Sequence, residues 1–157
     1  MATSQNGWPS GSRQGLGVKN YLVPGSNTYF ACAPLAAPVL IAFAAEFHAN
    51  IEPIDKGTWD DWGWSAGDNR GIAASQSNHA SGTAIDINAV QHPFSKIGTF
   101  NPVKAVKIRL LAKKYGLRWG GDYTHTKDEM HFEIVESVQA VKARTLAMKL
   151  PTPKEKQ

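Results

Sequence analysis

Apolar residues recur at four-residue spacing over residues 34–49, where Leu35, Val39, Phe43 and Phe47 line up with Leu40 and Ala44 beside them. That period predicts a helix with a buried side. Pro34 and Pro38 set its start near Ala37–Pro38, because proline is tolerated in the first turn and not beyond it. His48 falls near the far end, where an imidazole suits the negative pole of the helix dipole, so a capping role is expected rather than a metal role. A second helix is predicted over Val103–Tyr115. Ile108, Leu111, Ala112 and Tyr115 form one amphipathic stripe, and Gly116 is the expected stop. Val103, Val106 and Leu110 form a second apolar row, so burial on more than one side is expected. A third helix is predicted over Ser137–Leu150, with Ser137 as N-cap and Val138, Val141 and Met148 facing inward.

Elsewhere the period is two or absent. Residues 1–30 are rich in Gly, Ser and Asn and predict an irregular arm, with one short strand around Tyr21-Leu22-Val23. Ile51-Glu52-Pro53-Ile54 reads as an edge strand, the position to which proline restricts it. In Ala84-Ile85-Asp86-Ile87-Asn88 the isoleucines share one face and Ala84, Asp86 and Asn88 the other. In Met130-His131-Phe132-Glu133-Ile134 the apolar residues again alternate with His131 and Glu133. Three helices with short strands predict an α+β fold, the helices packed on a small antiparallel sheet. The expected organisation is an irregular arm over 1–30 packed on the domain, a single domain over 31–150, and a polar, proline-bearing tail or linker stub over 151–157.

The alternating segments carry the candidate chemistry. His79 and Asp86 are seven positions apart with Gly82 between them. Zinc holds His nitrogen and Asp oxygen at about 2.0–2.2 Å, so two such donors sit about 3.3 Å apart. Seven extended residues span about 23 Å, so the chain must fold back, and Gly82 can take the backbone angles that requires. If the two alternating strands pair, His131 and Asp86 face one pocket. His79, Asp86 and His131 then supply three ligands to one Zn2+ and leave a fourth position open, as in catalytic rather than structural sites.

Composition narrows the rest. At 157 residues, one domain that buries a real core is expected. Net charge is +4, from 17 basic and 13 acidic side chains, without the clustered basic run that would mark a nucleic-acid patch. The single cysteine, Cys32, permits no internal disulfide and reads as a small buried hydrophobe. No signal peptide is visible, and the most apolar stretch is too short to span a bilayer. The tryptophan-rich run Trp59 to Trp64 is either a packed aromatic loop or a wall of a substrate cleft.

The pattern Ser77-x-His79-x-x-Gly82-x-Ala84-x-Asp86, then Trp119-Gly120-Gly121-Asp122-Tyr123, then Asp128-x-x-His131-Phe132, resembles the VanY-like zinc peptidases. That family comprises D,D-carboxypeptidases and L-alanyl-D-glutamate endopeptidases. The resemblance covers residues 34–136 and is nearest to the peptidase domains of endolysins from phages of actinobacteria. It implies the hedgehog/D,D-peptidase-like fold, and a zinc peptidase that cuts an amide of the peptidoglycan stem peptide, at L-Ala–D-Glu or at a terminal D-Ala. By position it makes Asp128 the general base, with Glu129 as the competitor that strict alternation would favour. By position it also makes Arg70 a contact to substrate or oxyanion, with Arg13 and Arg109 worse placed. Ser77, Asp122, Trp119 and Tyr123 become substrate contacts or partners of the ligands. The resemblance further implies a monomer, made in the host cytoplasm and acting on the wall, with room for a further C-terminal domain. A non-catalytic zinc module of the hedgehog kind would lack the base; Asp128 is present.

Overall fold

The computed structural model describes residues 2–54, 59–66 and 77–156. Among these the order is β1 (Lys19–Leu22), β2 (Tyr29–Cys32), α1 (Ala37–Asn50), β3 (Ala84–Asp86), α2 (Pro102–Tyr115), β4 (Leu117–Trp119), β5 (His131–Ile134) and α3 (Val138–Ala147). The fold is α+β, as expected. β1 and β2 form an antiparallel hairpin, and β3, β5 and β4 form an antiparallel sheet with β5 in the middle.

The helices follow the sequence rules. α1 has Pro38 in its first turn, where the missing N–H is no loss. α2 is capped by Asn101, whose side chain accepts from Lys104 N–H, and stops at Gly116 in the left-handed conformation. Ser137 caps α3 by accepting from Ala140 N–H. Ile108, Leu111, Ala112 and Tyr115 of α2 are buried, but Val103, Val106 and Leu110 are exposed. The second apolar row of α2 therefore faces solvent, because the sheet and α1 cover one side of the helix only.

β5 separates core from site by alternation. Phe132 and Ile134 point to the helices, and Phe132 packs on Phe43 and Phe47 of α1 with ring centroids 4.8 and 5.7 Å away. His131 and Glu133 point to the other face. β3 repeats the division: Ile85 is fully buried in the core, while Ala84 and Asp86 lie opposite Glu133 and His131.

Two segments differ from expectation. Residues 51–54 are a loop, not an edge strand. Glu52 is instead tied to His92, Asn88 and Lys104. The tail is not a loose stub: Leu22 N–H donates to Lys154 O, and Lys156 N–H to Asn20 O, so residues 154–156 pair along β1. The arm packs on the domain as expected, with Trp8 buried and its Nε1–H donating to Glu136 O.

Phe132→Ala is expected to cost about 3–5 kcal/mol, since it empties a fully buried ring site between two helical aromatics. Val106→Ala, at an exposed position, should stay within about 0.5 kcal/mol. Denaturant unfolding of both variants checks the difference.

Candidate metal centre

His79 sits on a short 3-10 helix, Asn78–Ser81. Ser77 caps that helix: its hydroxyl accepts from His79 N–H at 3.1 Å. The turn closes on Gly82 at φ 68 and ψ 28, the left-handed conformation expected of it. The imidazole is oriented from behind, with Nδ1 2.8 Å from the carbonyl oxygen of Gly63. A Cβ at Gly63 would lie 2.2 Å from Ala31 O, so only glycine lets this loop run against β2. One residue before it, Trp62 exchanges backbone hydrogen bonds with Asp86 along the outer edge of β3.

Asp86 and His131 are direct partners across the β3–β5 ladder. His79 Nε2 lies 3.2 Å from His131 Nδ1. Asp86 Oδ1 lies 2.9 Å from His131 Nδ1 and 3.2 Å from His79 Nε2. The three atoms form a nearly equilateral triangle with edges close to the separation of about 3.3 Å expected for neighbouring ligands of tetrahedral zinc. All three residues are buried.

The chemistry of this donor set fits a metal ion. His79 Nδ1 faces a carbonyl oxygen, which only accepts, so it carries the proton and Nε2 turns a lone pair to the triangle. His131 Nε2 lies 3.4 Å from Glu133 Oε2 and carries its proton likewise, leaving Nδ1 for the triangle. Asp86 adds a carboxylate oxygen. Three electron pairs converge, and one proton can serve only one edge, whereas a cation serves all three. In the metal-free protein His131 takes that proton. Burial alone would lower its pKa, but Asp86 and Glu133 outweigh burial and raise it to about 10. Burial likewise pushes the Asp86 carboxyl up, and His79 and His131 reverse this and hold it well below the usual carboxylate range.

Beside the triangle opens a cleft of about 670 Å³, lined in part by His131, Asp128, Tyr123, His125, Arg118 and Phe94. β5 begins at His131, after Asp128, so strand alternation does not govern residue 128. Asp128 is buried at the cleft wall, its backbone N–H on Gly120 O and its carbonyl receiving His131 N–H. Glu129 points away: its carboxylate accepts from Gly98 N–H, Thr99 N–H and the Thr99 hydroxyl. It anchors that loop and is absent from the cleft.

The other predicted residues divide. Ser77 lines the cleft and caps the 3-10 helix that carries His79. Tyr123 lines it too, with its hydroxyl donating to Glu133 Oε1 at 2.5 Å. Asp122 lines it as well, with Oδ1 in an ion pair with Arg109 at 2.8 Å rather than on a ligating histidine. Trp119 is a core residue: its indole N–H donates to Glu129 O and its ring packs on Phe100, away from the cleft. Arg70 lies outside the described residues. Among the other histidines, His48 bridges Gly25 O and Ile54 N–H as a structural tie. His92 is buried against Phe100 on a bond to Glu52 and does not line the cleft. Burial pushes the Cys32 thiol up to about 12, which makes it a poor nucleophile. Trp59 and Trp62 are 88% and 48% exposed, while Trp64 is half-buried with its indole N–H donating to Gly11 O.

Glu133, Asn78 and Gly63 were not singled out by sequence reasoning, although Glu133 and Gly63 each face the outer nitrogen of a histidine of the triangle and Asn78 bonds Glu133. For Glu133 the signal was present, since it shares the face of His131 on an alternating strand. Gly63 and Asn78 act through contacts across the fold, which no local pattern encodes.

A His–Asp–His donor set that could hold a metal ion thus stands at the wall of a polar cleft, with a further carboxylate lining that cleft, the ingredients that metal-assisted hydrolysis requires. Residues 70–134 match the family model described as D-alanyl-D-alanine carboxypeptidase, a span that takes in the triangle, Asp128 and the strand β5. The match supports a metallopeptidase directed at peptidoglycan. No curated protein and no solved structure matches the chain.

The raised pKa of His131 has a signed consequence. Its contribution to metal-free stability is complete below its ordinary value near 6.5 and is lost as pH rises towards about 10. A metal ion held by His79, Asp86 and His131 would replace that proton. Zinc binding at pH 7–8 is therefore expected to release about one proton. Calorimetry in two buffers of different ionisation enthalpy measures it, and zero release contradicts the assignment.

Proposed function

We propose that the protein is a zinc-dependent peptidoglycan peptidase of the endolysin type, hydrolysing an amide bond of the stem peptide, with L-Ala–D-Glu as the bond cut. The observation that carries this reading is the donor triangle of His79, Asp86 and His131 with Asp128 lining the same cleft. His79, Asp86 and His131 would hold one Zn2+, which when bound would supply Lewis-acid polarisation of a peptide carbonyl and a water made acidic near neutral pH.

The chain's own groups do the rest. The Asp128 carboxylate takes a proton from the attacking water and returns it to the nitrogen of the leaving amine. Arg118, whose guanidinium is shared with Glu133, lines the cleft beside His125, and its fork of N–H donors suits the carboxylates of a stem peptide. Tyr123, beside them, offers a ring face to the peptide backbone. Arg70 is proposed to meet the oxyanion. The protein would work as a monomer, made in the host cytoplasm and acting on the wall. No helix among the described residues is long and apolar enough to cross a membrane.

Removal of a terminal D-Ala is the second reading, favoured by the description of the matching family model. Purified peptidoglycan incubated with the protein separates the two. Mass spectrometry is expected to show new N-terminal D-Glu ends, abolished by chelator and restored by zinc. Released D-Ala with intact L-Ala–D-Glu bonds moves the assignment to carboxypeptidase. No chelator-sensitive product at all contradicts both. Asp128→Asn should lower turnover by about 10²–10⁴-fold while zinc content is retained.

A further inference from the structure

Glu133 is almost fully buried, at 1% exposure, and belongs to no part of the mechanism above. A buried carboxylate is costly unless each oxygen is met by donors. Here both are. Oε1 accepts from Arg118 Nε at 2.9 Å and from the Tyr123 hydroxyl at 2.5 Å. Oε2 accepts from Asn78 Nδ2 and faces His131 Nε2 at 3.4 Å. The carboxylate is clamped from both ends, and one of the groups it meets is the outer nitrogen of a ligating imidazole.

Asn78 is itself oriented. Its Oδ1 accepts the backbone N–H of Asn6 at 3.1 Å, which leaves its NH2 to face Glu133. Asn6 is fixed in turn, with its side chain donating to Thr83 Oγ1 and Ile134 O. Asn78 also precedes His79 on the same 3-10 helix. It therefore touches both histidine ligands: one through the backbone, the other through the carboxylate that orients it.

We infer that Glu133 is a positioning residue for His131, and that Asn78, set by the N-terminal arm, couples the two histidine ligands through Glu133. The relay runs from Asn6 through Asn78 and Glu133 to His131. It keeps the proton of His131 on Nε2 and presents Nδ1 to the metal. The arm is thereby part of the metal site, although it supplies no ligand. This inference rests on the metal-centre reading proposed above.

Zinc affinity, measured by chelator competition on the purified chain, tests it without reference to activity. Glu133→Gln keeps the size but leaves one oxygen, which serves Arg118 and Tyr123 or His131, not both. It should weaken zinc binding by about 10–100-fold. Asn78→Ala should weaken it by less and, if it acts through Glu133, should add little in the Glu133→Gln background. Melting of the metal-free variants reads folding separately, and Asn78→Ala stands alone if Glu133→Gln does not fold. In the zinc-loaded protein, the His131 Nε2–H resonance should lose its hydrogen-bonded position in both variants. Affinities within about twofold of wild type overturn the positioning role, and additive losses overturn the coupling. A wild-type chain that binds no zinc overturns the metal reading itself, and this inference with it.

Discussion

Three lone pairs aimed at one point are the constraint around which this molecule is arranged. Two imidazole nitrogens and a carboxylate oxygen stand within 3.2 Å of one another in a buried position. Without a cation the cost of burial falls on a single proton held by His131 between two carboxylates. Such a cluster is unfavourable in an ordinary core, where buried charge must be paired and polar atoms satisfied. Here the fold supplies the pairing from several directions at once.

Each direction is a different kind of backbone. Asp86 and His131 come from paired strands, whose register fixes them opposite each other and sends Phe132 and Ile85 into the core. His79 comes from a 3-10 helix that ends on a left-handed glycine. Its outer nitrogen is held by Gly63, in a loop pressed onto β2. The arm closes the arrangement through Asn6 and Asn78. Elements far apart in sequence thus meet behind the ligands, while the face in front remains the open cleft. A rigid rear and an accessible front suit a hydrolytic site, in which the metal must be fixed and the substrate admitted.

Much of this was legible in the residues. The helical stripes gave α1, α2 and α3, with the proline start of α1, the Ser137 cap of α3 and the Gly116 stop of α2. Alternation around Asp86 and His131 gave the shared face, and the metal spacing required the turn at Gly82. The misreadings have physical causes. Val103, Val106 and Leu110 have the right period for burial, but periodicity cannot say whether a second layer exists to cover them. Residues 51–54 carry strand-forming isoleucines, yet Glu52 is drawn into bonds with His92, Asn88 and Lys104 that a ladder would not allow. The β1 pairing of the tail depends on backbone groups, to which composition is blind. Trp119 lies within a recognisable run, but only the tertiary packing turns it into the core. The resemblance to zinc peptidases was carried by spacing, and the match over residues 70–134 supports it.

X-ray absorption at the zinc edge on the loaded protein addresses the triangle most directly. The account predicts one zinc per chain, bound by two imidazole nitrogens and carboxylate or water oxygens at about 2.0–2.2 Å, and loss of one imidazole contribution in His131→Ala. A bound zinc whose spectrum lacks imidazole scattering, or is unchanged in His131→Ala, would contradict it.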